Sequence, residues 1–223
     1  NSALWMIIAA ASVTLFFAAA SAKAAVVPGR LQSVGEMLYE LIHNLTDSII
    51  GHEGKKYFPF VFTLFAFILA MNLLGMVPYF FTSTSQLAVT ATLGVLVIAV
   101  VIAVGFARNG LGFFKLFVPS GVPFFVLPLV VVIEVISFLV RPVTLALRLF
   151  GNMVGGHVVL KVFGGFVVSL GALGALGIVG ALVTLSGTVA ITALEFMVAF
   201  LQAFVFAVLA CVYLNDVVNL HSH

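Results

Sequence analysis

A run of polar side chains lies inside a long apolar stretch and constrains everything around it. Residues 141–160 read RPVTLALRLFGNMVGGHVVL, in which Arg141, Arg148, Asn152 and His157 interrupt apolar sequence that continues on both sides. These groups therefore lie at membrane depth. A charge at the bilayer centre costs roughly 2.5–3.5 kcal/mol on insertion scales, so it persists where it faces protein or a water-filled cavity. Function is the default reading of such a residue.

Spacing sharpens the pattern. Positions seven apart on a helix are nearly in line, drifting by about 20°. Glu134, Arg141 and Arg148 stand seven apart and form one polar stripe, which Asn152 extends by a turn. His157, nine residues after Arg148, falls about 180° round an unbroken helix, with Lys161 a turn further along. Thr188, Glu195 and Gln202 repeat the seven-residue spacing later in the chain.

Composition assigns the class. Of 223 residues, 64% are hydrophobic and 7% charged, and the mean hydropathy is +1.34, whereas a soluble domain carries about 25% charged residues. The apolar runs are too long for barrel strands, so the chain reads as an all-α integral membrane protein in one membrane domain, 1–223. A net charge of +2 does not suggest nucleic acid. The single Cys211 excludes an intramolecular disulfide and reads as a small core hydrophobe.

The chain starts at Asn1, not at a methionine. Residues 3–20 are long enough to span and have no basic residue before them, which favours a first transmembrane helix over 2–21 rather than a signal peptide. Residues 31–50 form an amphipathic helix expected to lie in the membrane surface. Its apolar face is Val34, Met37, Leu38, Leu41, Leu45 and Ile49, and its polar face is Gln32, Glu36, Glu40, His43 and Asp47. His52, Glu53, Lys55 and Lys56 read as a solvated link. A transmembrane pair occupies 57–107, with Tyr57 and Tyr79 placed for the aromatic belt. Asn72 interrupts its first member, either as a helix–helix hydrogen bond or as part of a water path. A short amphipathic connector covers 111–123, with Pro119 and Pro123.

Basic residues orient the chain. Lys23, Arg30, Lys55, Lys56, Arg108 and Lys115 fall on one side, while 1–3 and 82–86 carry none. The positive-inside rule then places the N-terminus and the 82–86 loop outside. From Pro128 the apolar run reaches Gly164, about 54 Å if continuous, against a hydrocarbon core of about 30 Å. Either the helix breaks at Pro142 or Gly155-Gly156, or it is steeply slanted. Glycines at 164, 165, 171, 174, 177 and 180 put a hairpin turn within 164–180. The final helix runs to about Leu214, Asn215 and Asp216 follow it, and the tail with His221 and His223 reads as solvated.

The run LRLFGNM with Arg148, followed by Gly156-His157, resembles the a subunit of rotary F-type ATP synthases, with alphaproteobacterial and mitochondrial members nearest in pattern. Glu195, then LQAFVF with Gln202, then VYL with Tyr213 forms a second matching block, and MNLLGMVPY at 71–79 a weaker third. The resemblance implies a long, steeply tilted hairpin over 128–214 facing the c-ring. It implies a stator that forms two offset proton half-channels and carries no cofactor. Arg148 is the fixed charge opposite the ring's carboxylates: arginine stays protonated, so it favours the ionised carboxylate and blocks direct passage of protons. His157 and Glu195 form the outward relay. Many bacterial relatives carry an acid and a histidine at these positions in the reverse order. Gln202 matches the family's glutamine and has a positioning role. Glu134 matches an acid in the inner half-channel, and Asn152 counts among the proton-translocation residues. Arg141 stands as an interfacial anchor, a partner for Glu134 or a channel residue, and Ser137 and Thr144 read as packing hydroxyls.

The implied partners are the c-ring, the peripheral-stalk b subunits and the lipid bilayer. Neither nucleic acid nor any small-molecule substrate other than protons is expected. The chain shows no Walker motif, no Cys/His cluster at metal spacing and no Ser/His/Asp arrangement, so phosphoryl transfer is assigned to other subunits. The rival reading is a self-contained proton-coupled transporter. The location is a bacterial inner membrane, with the mitochondrial inner membrane as the alternative.

Overall fold

The computed structural model describes residues 2–22, 29–77, 84, 86–118 and 125–219. Lys23, Pro28, Tyr79, Pro119, Pro123, His221 and His223 lie outside the described residues, as does most of 82–86. Six α-helices follow one another: α1 (Ser2–Ser21), α2 (Arg30–Ile50), α3 (Gly54–Gly75), α4 (Leu87–Asn109), α5 (Leu127–Gly171) and α6 (Ala175–Val218). Short 3-10 segments, Gly51–Glu53 and Gly110–Phe117, join α2 to α3 and follow α4. Five helical runs are long and apolar enough to cross a membrane. The protein is an all-α, multi-pass membrane protein.

α1 is apolar on every side, and little of it is covered; Ala9 is buried, and Phe17 meets Phe62 of α3 edge-on at 5.1 Å. α2 is amphipathic in a less simple way than its sequence indicates. Its buried stripe is Gly35, Ile42, Thr46 and Ile50, displaced by roughly a quarter turn from the apolar face centred on Val34, Leu41 and Leu45. Val34 and Met37 stay exposed, 48% and 66%. α2 thus has three faces: one against the bundle, one polar and one apolar that is left for lipid. His43 is not simply solvated. Its ring stacks on Tyr39 and meets Phe58 edge-on, and its Nε2 lies 3.4 Å from Asp47.

The core forms where α3 and α4 each pack against the second half of α6. Phe65, Ile68, Val97, Val101, Phe206, Ala207, Leu214 and Val217 are fully buried there. Small residues on α6 (Ala199, Ala203, Ala207, Ala210) let the helices approach closely. One end of the bundle is tied by polar contacts. Glu53 pairs with Arg108 at 3.0 Å, Asn109 donates to the Val217 carbonyl at 2.8 Å and Asn219 to the Ile50 carbonyl at 3.3 Å. Glu53 is therefore ion-paired, not merely part of a solvated link. The basic segments at 53–56 and 108 meet at this same end of the molecule.

α5 is unbroken through Pro142 and Gly155-Gly156, so of the two alternatives the sequence leaves open, the continuous helix is the one the chain adopts. Its 45 residues extend about 67 Å, more than twice the ~30 Å hydrocarbon core. A helix of that length cannot stand upright within the bilayer. α6, with 44 residues, returns antiparallel along it. The turn is Ala172–Gly174, where Gly174 has φ +83° and ψ −157°, a region essentially restricted to glycine. α6 continues to Val218, past Leu214, because Tyr213, Leu214, Val217 and Val218 are buried against the bundle.

Candidate proton-path site

The hairpin aligns the two seven-residue stripes face to face. Arg141 of α5 meets Asp216 of α6, Asn152 meets Gln202, and Gly156 meets Glu195. In an antiparallel pair each step along one helix is matched by a step back along the other, so equal spacing on both strands of the hairpin brings polar groups together in successive layers.

The layer nearest the basic end is an ion cluster. The Arg141 guanidinium donates to Asp216 Oδ2 at 3.1 Å and lies 3.6 Å from Glu134 Oε1. It also packs over the Tyr213 ring at 5.1 Å and the Phe138 ring at 6.0 Å. Phe138 extends this contact into the Phe113–Phe117 cluster of the 3-10 segment. Arg141 is thus a partner of Glu134 and a clasp between α5 and α6. Asp216, which the sequence reading left beyond the last helix and gave no role, is the residue that completes the cluster. Its signal was available: it stands three heptads after Glu195 and continues the stripe Thr188, Glu195, Gln202.

Further along, Asn152 Nδ2 donates to Gln202 Oε1 at 3.0 Å. Gln202 is 4% exposed. The far layer is a cavity of about 10 Å³ lined by His157, Glu195, Asn152, Met76, Met153 and Val198, about the room one water needs. His157 and Glu195, separated by 38 positions in sequence, thus share one small space. Gly156 makes that possible. A Cβ at this position would overlap the Glu195 carboxyl, with Oε1 the nearest atom and Cδ at 2.8 Å. Met76 follows the end of α3 opposite Gly54, so this cavity and the Arg141 cluster lie toward opposite ends of the bundle.

Arg148 lies between the two. It is four residues from Asn152 and seven from Arg141, about 6 Å and 10 Å along the helix. Its side chain is exposed, and among the described residues no carboxylate pairs with it within 4.0 Å. The exposed face of the hairpin along this stretch is apolar: Val143, Leu147 and Val158 of α5, and Met197 and Leu201 of α6, are all at least 45% exposed. Thr144 donates to the Arg141 carbonyl at 2.8 Å, the behaviour of a helix hydroxyl.

The arrangement offers a fixed cation on an apolar outer face, with titratable clusters offset toward opposite ends. The family model described as ATP synthase A chain matches residues 3–215. The chain is 57% identical over 223 residues to the protein named ATP synthase subunit a of Rhizobium rhizogenes, covering all of this chain and 89% of that one. It is 56% identical over the same span to that of Sinorhizobium medicae, again covering 89% of the relative. With that of Mesorhizobium japonicum it shares 55% over 219 residues, 98% of this chain and 87% of the other. These relatives are bacterial and lend no support to the mitochondrial alternative. By a family match across nearly its whole length and by identity above half to these relatives, this chain belongs to the ATP synthase A chain family.

Proposed function

We propose that this chain is the proton-conducting stator of a bacterial F-type ATP synthase. The exposed apolar face of α5 and α6 meets a c-ring, and Arg148 is the charge presented to the ring's carboxylates. The cavity between His157 and Glu195 belongs to the outward half-channel, and the Glu134–Arg141–Asp216 cluster to the inward one. Asn152 and Gln202 form the polar layer beside Arg148. A proton entering at the Glu195 side neutralises a ring carboxylate. The carboxylate travels with the ring, and on return loses its proton toward the Glu134 side. Arg148 separates the two exits, since a proton cannot pass through a permanent cation and the ionised carboxylate is favoured opposite it. Each charge moved supplies about 2.3 kcal/mol per 100 mV. Phosphoryl transfer takes place in other subunits, and the peripheral-stalk b subunits hold the stator still.

The observation that carries this reading is the position of Arg148. An arginine exposed on an apolar membrane face, with no carboxylate partner among the described residues, needs its counter-charge from outside the chain. The test is Arg148→Ala in the assembled complex, with ATP synthesis measured in inverted membrane vesicles. Synthesis should fall to background while ring and catalytic head still co-purify with the variant. Near-normal synthesis by an assembled variant would refute the proposal.

A further inference from the structure

Asn72 interrupts the apolar run of α3, and the fold buries it completely. Its Nδ2 donates to the Ala199 carbonyl of α6 at 3.2 Å. Its Oδ1 is buried and accepts no hydrogen bond from the protein. Gln202 stands three residues after Ala199, on the same face of α6 and one turn away. Its Oε1 is taken by Asn152, and its Nε2 is buried and finds no acceptor. An orphan acceptor on α3, bonded through its own amide to Ala199, and an orphan donor one turn further along α6 therefore lie within about a helical turn of each other, and their chemistry is complementary. Buried polar atoms are almost always satisfied in native proteins, by protein or by ordered water. A buried water with two to four polar partners is the usual means where side chains do not meet directly.

We propose that Asn72 and Gln202 share an ordered water molecule, which donates to Asn72 Oδ1 and accepts from Gln202 Nε2. Asn72 is then a positioning residue. It fixes the orientation of the Gln202 amide, so that Oε1 points to Asn152 on α5 and Nε2 points to α3. The inference deepens the proposed function, because it ties a helix outside the hairpin to the polar layer beside Arg148. The water itself does not depend on that function.

Two measurements on the intact complex test it. The first is a cryo-electron microscopy map fine enough to resolve other buried waters. Density within hydrogen-bonding distance of both Asn72 Oδ1 and Gln202 Nε2 is expected, and its absence overturns the proposal. The second is a double-mutant cycle on ATP-driven proton pumping with Asn72→Leu and Gln202→Leu, assembly being checked for each. Asn72→Leu should lower pumping about tenfold, and the double variant should be no worse than the poorer single one, because partners in one network are non-additive. Multiplying losses would show a packing role only and would overturn the positioning role. Should Asn72→Leu fail to assemble, Asn72→Asp replaces it. A buried carboxyl stays neutral, donates to the Ala199 carbonyl and leaves an oxygen for the water, so at least half of the pumping should survive. Its loss in an assembled Asn72→Asp complex would count equally against the proposal. The map is independent of Arg148→Ala, so failure here and failure of the proposed function are separable.

Discussion

Glu195 occupies space that only a glycine at position 156 leaves open. The carboxyl reaches across the hairpin to the α5 backbone, and any side chain there must push it away. Gly156→Ala should therefore displace Glu195 from the cavity it shares with His157. A misplacement of about 1 Å can cost on the order of a hundredfold in a tightly positioned reaction. For a flexible carboxylate, a loss of about tenfold in proton conduction is expected, with assembly retained. Adding Glu195→Asp, one methylene shorter, should restore part of it. Proton uptake by inverted vesicles checks both, and full activity of Gly156→Ala would show that the carboxyl does not work from this position. The sequence made Glu195 and His157 legible as titratable groups inside apolar helices, but their meeting depends on the register of the hairpin, which no local pattern carries. It left Asp216 unread for a different reason: an acid near the end of a chain looks like a solvated tail unless the last helix is known to continue past it.

At the level of the helices, the α5–α6 pair is closed at one end by the Arg141 clasp. Arg141→Met keeps the hydrophobic stem over Tyr213 and Phe138 while removing the charge shared by Glu134 and Asp216. All three charged side chains are a quarter to a third exposed, so the cost should be about 1 kcal/mol. It would be read as a lower thermal midpoint of the purified complex, and Asp216→Asn in the Arg141→Met background should add little, because the two changes break the same contact. A midpoint unchanged by Arg141→Met would show that the clasp contributes nothing to holding the helices. The spans were readable because hydropathy runs of this length have few other outcomes. The break at Pro142 was undecidable from sequence, since a proline kinks some membrane helices and is accommodated in others. The face of α2 was misleading for a physical reason: in a membrane the apolar stripe can face lipid, so burial in the bundle falls to the neighbouring stripe with Gly35 and Thr46.

Taken whole, the molecule brings Lys55, Lys56 and Arg108 to one end. The Glu53–Arg108 pair brings the start of α3 and the end of α4 together there, and the end of α6 joins them through Asn109 and Asn219. The opposite end begins α4 at Leu87. A cysteine at Gln86 should react with an impermeant reagent only from outside sealed cells, and one at Lys56 only in inverted vesicles. Labelling of both from the same side would overturn the orientation. The overall class was legible in composition alone, whereas the distribution of support along the hairpin was not, because it depends on which helices stand behind it. That support is uneven. Buried residues run from Phe138 to Met153 on α5 and from Ala199 to Val218 on α6. Beyond them, toward Gly174, α5 has no buried residue and α6 only Gly177 among those described. In mechanical language the hairpin is a cantilever, with its root clamped by α2, α3 and α4 and its tip free. A lateral load on its outer face would bend the tip far more than the root. Arg148, Asn152 and Gln202 sit on the stiff side, and the Glu195–His157 cavity lies where clamping ends, so a sideways push would strain the cavity before it moved the arginine.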